Sequence, residues 1–113
     1  MHELGIMDNV RQLALDQAAA HQARRIERIT LRIGSLAGVD PDALRFAFEV
    51  VMAGTMAAEA ELRIEAVPAR CHCAACQRSF AASDGCCACP RCGAISRELL
   101  QGRELQLAAL QVV

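Results

Sequence analysis

The sequence predicts an α+β fold in which a three-stranded sheet carries two helices on one face, with a small cysteine-rich module inserted before the last strand. Three observations carry this. Apolar residues recur at helical spacing in two stretches, they alternate at period two in three others, and all seven cysteines fall between Cys71 and Cys92. The domains expected are residues 1–69 with 98–113, and residues 70–97.

Residues 4–22 place Ile6, Val10, Leu13 and Ala14 three and four apart, an apolar stripe on a helix that is expected to end near His21. In residues 26–33, Ile29, Leu31 and Ile33 alternate with Arg28, Thr30 and Arg32, the pattern of a half-buried strand. Asp40-Pro41 then signals a helix start: a carboxylate for the free N–H groups and a ring preset for the first turn. Leu44, Ala47, Phe48 and Val51 share one face of that helix, and Gly54 suits its C-terminal cap. Leu62, Ile64 and Ala66 alternate with Arg63 and Glu65 to give another strand, closed by Pro68. The last strand runs from Arg103, with Leu105 and Leu107 in phase and a slip at Ala108-Ala109 that a bulge would absorb. A sheet covered on one face leaves the other open to a partner or a second copy.

Composition narrows the function classes. A chain of 113 residues and 12.1 kDa holds one ordinary domain and an appendage, which excludes a multidomain enzyme. With 54% apolar residues, mean hydropathy +0.23 and net charge −1, the chain is expected to fold. All twelve basic residues are Arg and thirteen acids offset them, so there is no cationic excess for a phosphate backbone. No nucleic-acid partner is expected. The N-terminus lacks a basic stretch and long apolar run, and the apolar stretch Val50 to Ala58 is too short to span a bilayer, so the expected location is cytoplasmic, without a membrane partner.

Clustered cysteines in a reducing compartment point to metal ahead of structural disulfides. Cys73-Ala-Ala-Cys76 and Cys89-Pro-Arg-Cys92 are separated by twelve residues, the spacing of a zinc ribbon in which two tight turns each donate two thiolates. Four sulfurs close a tetrahedron, so Zn(II) there is structural. With Phe80 and Ile95 as its only large apolar residues, the stretch lacks an independent core and metal binding supplies most of its folding free energy. A redox dithiol is the weaker reading, because that chemistry needs one such motif at a helix N-terminus. Cys71, Cys86, Cys87 and His72 are read as tolerated neighbours, with alternative zinc ligands as the sharper reading.

The chain opens Met1-His2-Glu3. The mature protein is expected to keep Met1, because His is too large a second residue for methionine removal. The Met1 amine, the His2 backbone nitrogen and the His2 imidazole can then enclose a metal in two fused chelate rings, with Glu3 as fourth donor. Planar nitrogen and oxygen sets suit Cu(II) or Ni(II), so taking nickel depends on supply and handover.

Together, Met1-His2-Glu3, Leu31-Arg-Ile-Gly34, Val39-Asp-Pro-Asp-Ala-Leu44 leading into Phe46-Ala-Phe-Glu49, the paired cysteine units and Gly102-Arg-Glu-Leu105 resemble the hydrogenase-maturation nickel metallochaperones of the HypA/HybF family across essentially the whole chain. The resemblance implies a small protein that binds Ni(II) weakly as transient cargo through His2, Met1 and Glu3 and holds structural Zn(II) at Cys73, Cys76, Cys89 and Cys92. It implies work with a maturation GTPase of the HypB type to load the hydrogenase large-subunit precursor, with urease a second client in some organisms, as a monomer or weak homodimer. Asp40 matches an acid near the nickel site in some members, although the capping role is preferred. The additional Cys86 and Cys87 depart from the pattern.

Two other classes stand beside this reading. A zinc-ribbon nucleic-acid or protein-interaction module has the paired knuckles, but the chain lacks Tyr, Trp and Lys for stacking and phosphate contact. An enzyme with His21 or His72 as base and a free Cys as nucleophile lacks an identifiable orienting acid or oxyanion loop, so no enzyme is expected. His21 reads more simply as a cation at a helix C-terminus. Because imidazole and amine donors must shed protons to coordinate, nickel affinity measured by calorimetry is expected to fall on acidification; a flat profile down to about pH 5.5 would contradict imidazole ligation.

Overall fold

A computed structural model describes residues 2–82 and 87–113. The chain divides into two compact units: residues 1–32, 39–65 and 106–113 form one, residues 33–38 and 66–105 the other.

The first unit opens with α1 (His2–Ala20), which begins at the second residue rather than the fourth. Its buried stripe is Met7, Val10, Ala14 and Ala18, at spacings of three and four, while Leu13 is 55% exposed. Ile6 and Leu13 suit a helix face in the sequence, but the face that packs is centred on Ala14 and Ala18, small side chains that permit close approach. The helix ends with Gln22 at φ 56°: the Gln22 N–H donates to Ala19 O and the Ala23 N–H to Ala18 O. That double closure satisfies carbonyls that the last turn leaves free, with Gln in the left-handed position where Gly is usual. His21 Nδ1 lies 2.9 Å from Gln17 O, at the helix end as expected.

Strand β1 (Ile26–Gly34) buries Ile26, Ile29, Leu31 and Ile33. Helix α2 (Pro41–Met52) starts at the Asp40-Pro41 signal, and Asp40 Oδ1 accepts the Asp42 N–H at 2.9 Å. Leu44, Ala47, Phe48 and Met52 are its buried face, and Gly54 follows the helix at φ 77°. Helices α1 and α2 pack on one another.

Strand β2 (Glu61–Val67) half-buries Leu62 and Ile64 as expected, whereas Ala66 is exposed and Val67 turns inward. The sheet order is β2-β1-β6, with β6 spanning Leu105–Val112. Arg28 pairs with Glu61 at 3.1 Å and Arg32 with Glu65 at 3.5 Å, a constant offset that sets β2 parallel to β1. In contrast β6 runs antiparallel: Gly34 N donates to Glu104 O at 2.8 Å and Val113 N to Arg25 O at 2.9 Å. The same chain length separates these two bonds on both strands, so the pairing has no net insertion. The phase slip in β6 is therefore real but not absorbed by a bulge: Leu107 and Leu110, three apart, are both half-buried.

The second unit contains β3 (Arg70–Cys73), β4 (Arg78–Ala81) and β5 (Glu98–Gln101) in a sheet of order β4-β3-β5, with both pairings antiparallel. Its backbones approach most closely at Gly34 and Gly102: a Cβ on Gly34 would overlap the Gly102 carbonyl, and one on Gly102, whose φ is 129°, would meet Ala69 Cα at 2.7 Å. Only glycine fits either position. These are the closing and opening residues of two of the motifs noted above.

Leu31 is 1% exposed in the first core. Leu31→Ala is expected to lower the unfolding free energy by about 3 kcal/mol, and Leu13→Ala to stay within about 0.5 kcal/mol of the parent. Urea denaturation checks the pair, and equal losses would place Leu13 in the core.

Candidate functional site

The second unit brings four of the predicted ligands together. Strand β3 turns through Ala74 to Gln77 into β4, with Cys73 opposite Arg78 and Cys71 opposite Phe80. At this knuckle the Cys76 N–H donates to Cys73 Sγ at 3.4 Å, and Gln77 takes φ 55° with its side-chain amide on Ala74 O. The second knuckle lies between the bridged residues Ala88 and Ile95. It is closed by Cys89 N to Ala94 O and Gly93 N to Cys89 O, with Gly93 at φ 77°. Ser96 ties this turn to the sheet: its N–H donates to Cys87 O and its hydroxyl to His72 O.

The Sγ atoms of Cys73, Cys76, Cys89 and Cys92 all lie within 4.8 Å of one another. Cys73 Sγ is 3.6 Å from Cys92 Sγ, and Cys76 Sγ is 4.0 Å from Cys89 Sγ. A tetrahedral ion with sulfur bonds of about 2.3 Å requires sulfur–sulfur edges of about 3.8 Å. The donor set therefore fits one metal ion of that kind with every position taken by protein. Hydrogen bonding with Cys92, then burial and the thiols of Cys73 and Cys89, push Cys76 up to about 12. Backbone N–H groups of Cys92 and Arg91 hold Cys89 down to about 7. The second knuckle thus aims amides at a sulfur that is ready to carry charge.

Strand alternation places His72 on the opposite side of β3 from Cys71 and Cys73, which are both buried while His72 is half-exposed. Its carbonyl, not its ring, serves the knuckle. Cys71 and Cys87, read from the sequence as tolerated neighbours, are instead paired as a disulfide, with Cα atoms 6.1 Å apart. A signal for this was available. Cys71-x-Cys73-x-x-Cys76 and Cys87-x-Cys89-x-x-Cys92 repeat one pattern, so Cys71 and Cys87 hold equivalent places before the two knuckles. Cys86 lies outside the described residues.

At the N-terminus, His2 is the first residue of α1 and its side chain is 63% exposed. Its Nδ1 is 3.9 Å from Glu3 Oε2, and Glu3 is held by the Asp40 N–H, which donates to the same oxygen at 3.3 Å. Sequence reasoning placed His2 beside Glu3 but missed the tie from Glu3 to the start of α2, a link between residues 37 apart. Met1 lies outside the described residues. Among the described residues, no helix is long and apolar enough to cross a membrane.

Known proteins are similar to this chain along its length. The family described as hydrogenase/urease nickel incorporation, metallochaperone, HypA, matches residues 1–112. The hydrogenase maturation factor HypA of Picosynechococcus sp. is 43% identical over 113 residues, covering 100% of both chains. That of Azotobacter chroococcum is 40% identical over 112 residues, covering 99% of each. The solution structure of the nickel metallochaperone HypA from Helicobacter pylori matches in fold with a TM-score of 0.70 at 24% identity, over 98% of this chain and 97% of that one. With its sulfur cluster on paired knuckles and its histidine at the head of α1, the chain belongs to the HypA family of nickel-incorporation metallochaperones.

Proposed function

We propose that the chain carries Ni(II) as transient cargo at Met1, His2 and Glu3 and holds Zn(II) structurally at Cys73, Cys76, Cys89 and Cys92. Nickel handling falls to the unit that carries α1 and α2, and zinc to the unit that carries β3, β4 and β5. The observation that carries the reading is the exposed His2 ring beside an anchored Glu3 carboxylate, at a helix end.

The first turn of a helix leaves its N–H groups without intrahelical acceptors, so backbone nitrogen at His2 is available as a donor alongside the imidazole. The positive end of the helix dipole disfavours a cation there, while the Glu3 carboxylate beside the ring opposes that effect. The balance suits modest affinity and release. The sulfur site has the opposite character, since four protein donors leave no open position for exchange and the ion serves the fold. The chain works in the cytoplasm with a GTPase of the HypB type, as a monomer or weak homodimer. Its client is the hydrogenase large-subunit precursor, with urease a further one.

His2→Ala, and separately a short extension ahead of Met1, are expected to abolish calorimetric nickel binding while zinc content stays at one ion per chain. Unchanged nickel affinity in either would move the cargo site elsewhere. Because zinc replaces thiol protons, and Cys76 as a free thiol keeps its proton up to about 12, loading releases protons and its affinity rises with pH. Chelator competition between about pH 6 and about pH 8 is expected to show that rise, and a flat profile would argue against thiolate ligation. Chelation itself is expected to erase amide dispersion from residues 70–97 while helical circular dichroism persists.

A further inference from the structure

The structure places two further cysteine sulfurs against one another beside the sulfur cluster. On β3, Cys71 lies two residues before Cys73, and extended backbone turns both side chains to the same side. Cys87 stands in the same relation to Cys89, with the intervening Ala88 held in its bridge to Ile95. Clamping the knuckles by Cys73, Cys76, Cys89 and Cys92 therefore also brings Cys71 to Cys87. Their Cα separation of 6.1 Å lies within the span a disulfide bridges without backbone movement. Cys71 is 0% exposed and packs with Phe80, Cys73 and Cys89, whereas Cys87 is half-buried.

We propose that Cys71 and Cys87 are a reversible dithiol–disulfide couple, a second cross-link between the two knuckles that exchanges with small thiols and disulfides while the metal site stays intact. The proposal rests on the reading that the other four cysteines hold zinc. A low-molecular-weight disulfide, RSSR, meets the more accessible Cys87 first: the Cys87–SR bond forms, and one RSH leaves with the proton from Cys87. Cys71 sulfur then attacks Cys87 sulfur, forming the internal bond and releasing the second RSH with the proton from Cys71. Two protein S–H bonds and one S–S bond break, one S–S bond and two S–H bonds form, and two electrons pass from the pair to RSSR. Sulfurs committed to the metal do not compete, so the couple is chemically separate from its neighbours. When oxidised, it keeps the knuckles in register if the ion departs; when reduced, the ion and the Ser96 hydrogen bonds are left to join them.

The test uses the zinc-loaded full chain, with and without Cys86→Ser to remove the neighbouring thiol. Each is incubated with oxidised glutathione, alkylated under native conditions, digested without reduction and mapped by mass spectrometry. The expected product is a Cys71–Cys87 cross-linked peptide, lighter by two hydrogens than its reduced counterpart and converted back by excess reduced glutathione, with zinc content unchanged. Removing zinc first is expected to lower the initial rate of cross-linking at least roughly tenfold, because the clamp no longer holds the thiols at high effective concentration. Cys71→Ser with Cys87→Ser is expected to lose the cross-link and keep the zinc. Free Cys71 and Cys87 after oxidation, or a cross-link through Cys73, Cys76, Cys89 or Cys92, would overturn the proposal. Zinc measured on the untreated chain reads the other question separately: its absence would sink the metal assignment, whereas the peptide map alone decides the pair.

Discussion

Four sulfurs meeting in one small volume is the constraint on which the second unit depends. Like charges at 3.6–4.0 Å repel strongly, and four thiols that keep their protons give little cohesion. A cation among them would add an attraction to each sulfur that outweighs those repulsions. The rest of the unit reads as support for that event: amides aimed at Cys73 and Cys89, left-handed backbone at Gln77 and Gly93 to tighten the turns, and Ser96 fastening the second turn to β3. Phe80 and Leu99 provide the only sizeable hydrocarbon packed on the cluster among the described residues. A strand of four residues on each side of β3 cannot supply the missing cohesion alone.

The N-terminal site inverts this logic. Its ring is mostly in solvent, its carboxylate is shared with a backbone N–H of α2, and its helix turns a positive end towards the donors. A nickel site of the kind proposed above would trade retention for access. The Glu3 link limits how far that openness goes: by accepting from Asp40 N it ties the start of α1 to the start of α2, so the first turn is held at its side chain as well as by its own backbone bonds. Asp40 meanwhile spends its own carboxylate on Asp42 N, which explains why capping and proximity to His2 coexist at one residue.

What the sequence disclosed was local. Asp40-Pro41 and Gly54 bracket α2 because capping chemistry is written within a few residues, whereas the alternation read in β1 fails at Thr30, which is buried along with Ile29 and Leu31 on either side of it. Leu13 misled because a stripe rich in alanine leaves the buried face poorly marked by size. Strands β3, β4 and β5 escaped because four-residue elements built around ligands carry no hydrophobic period. The four ligands were legible from spacing alone, but the partnership of Cys71 with Cys87 required seeing that the triplet spacing occurs twice. The bond from Asp40 to Glu3 had no local trace, since it depends on how two helices pack.

The routing of the main sheet bears on how such a protein can diverge. Because β2 runs with β1 and β6 runs against it, the strand entering the sulfur-rich segment and the strand leaving it open at the same end of the sheet. A segment inserted at one end of the sheet can change length or content between lineages without rethreading the helices. The helical layer and the sulfur-bearing segment can then drift at different rates.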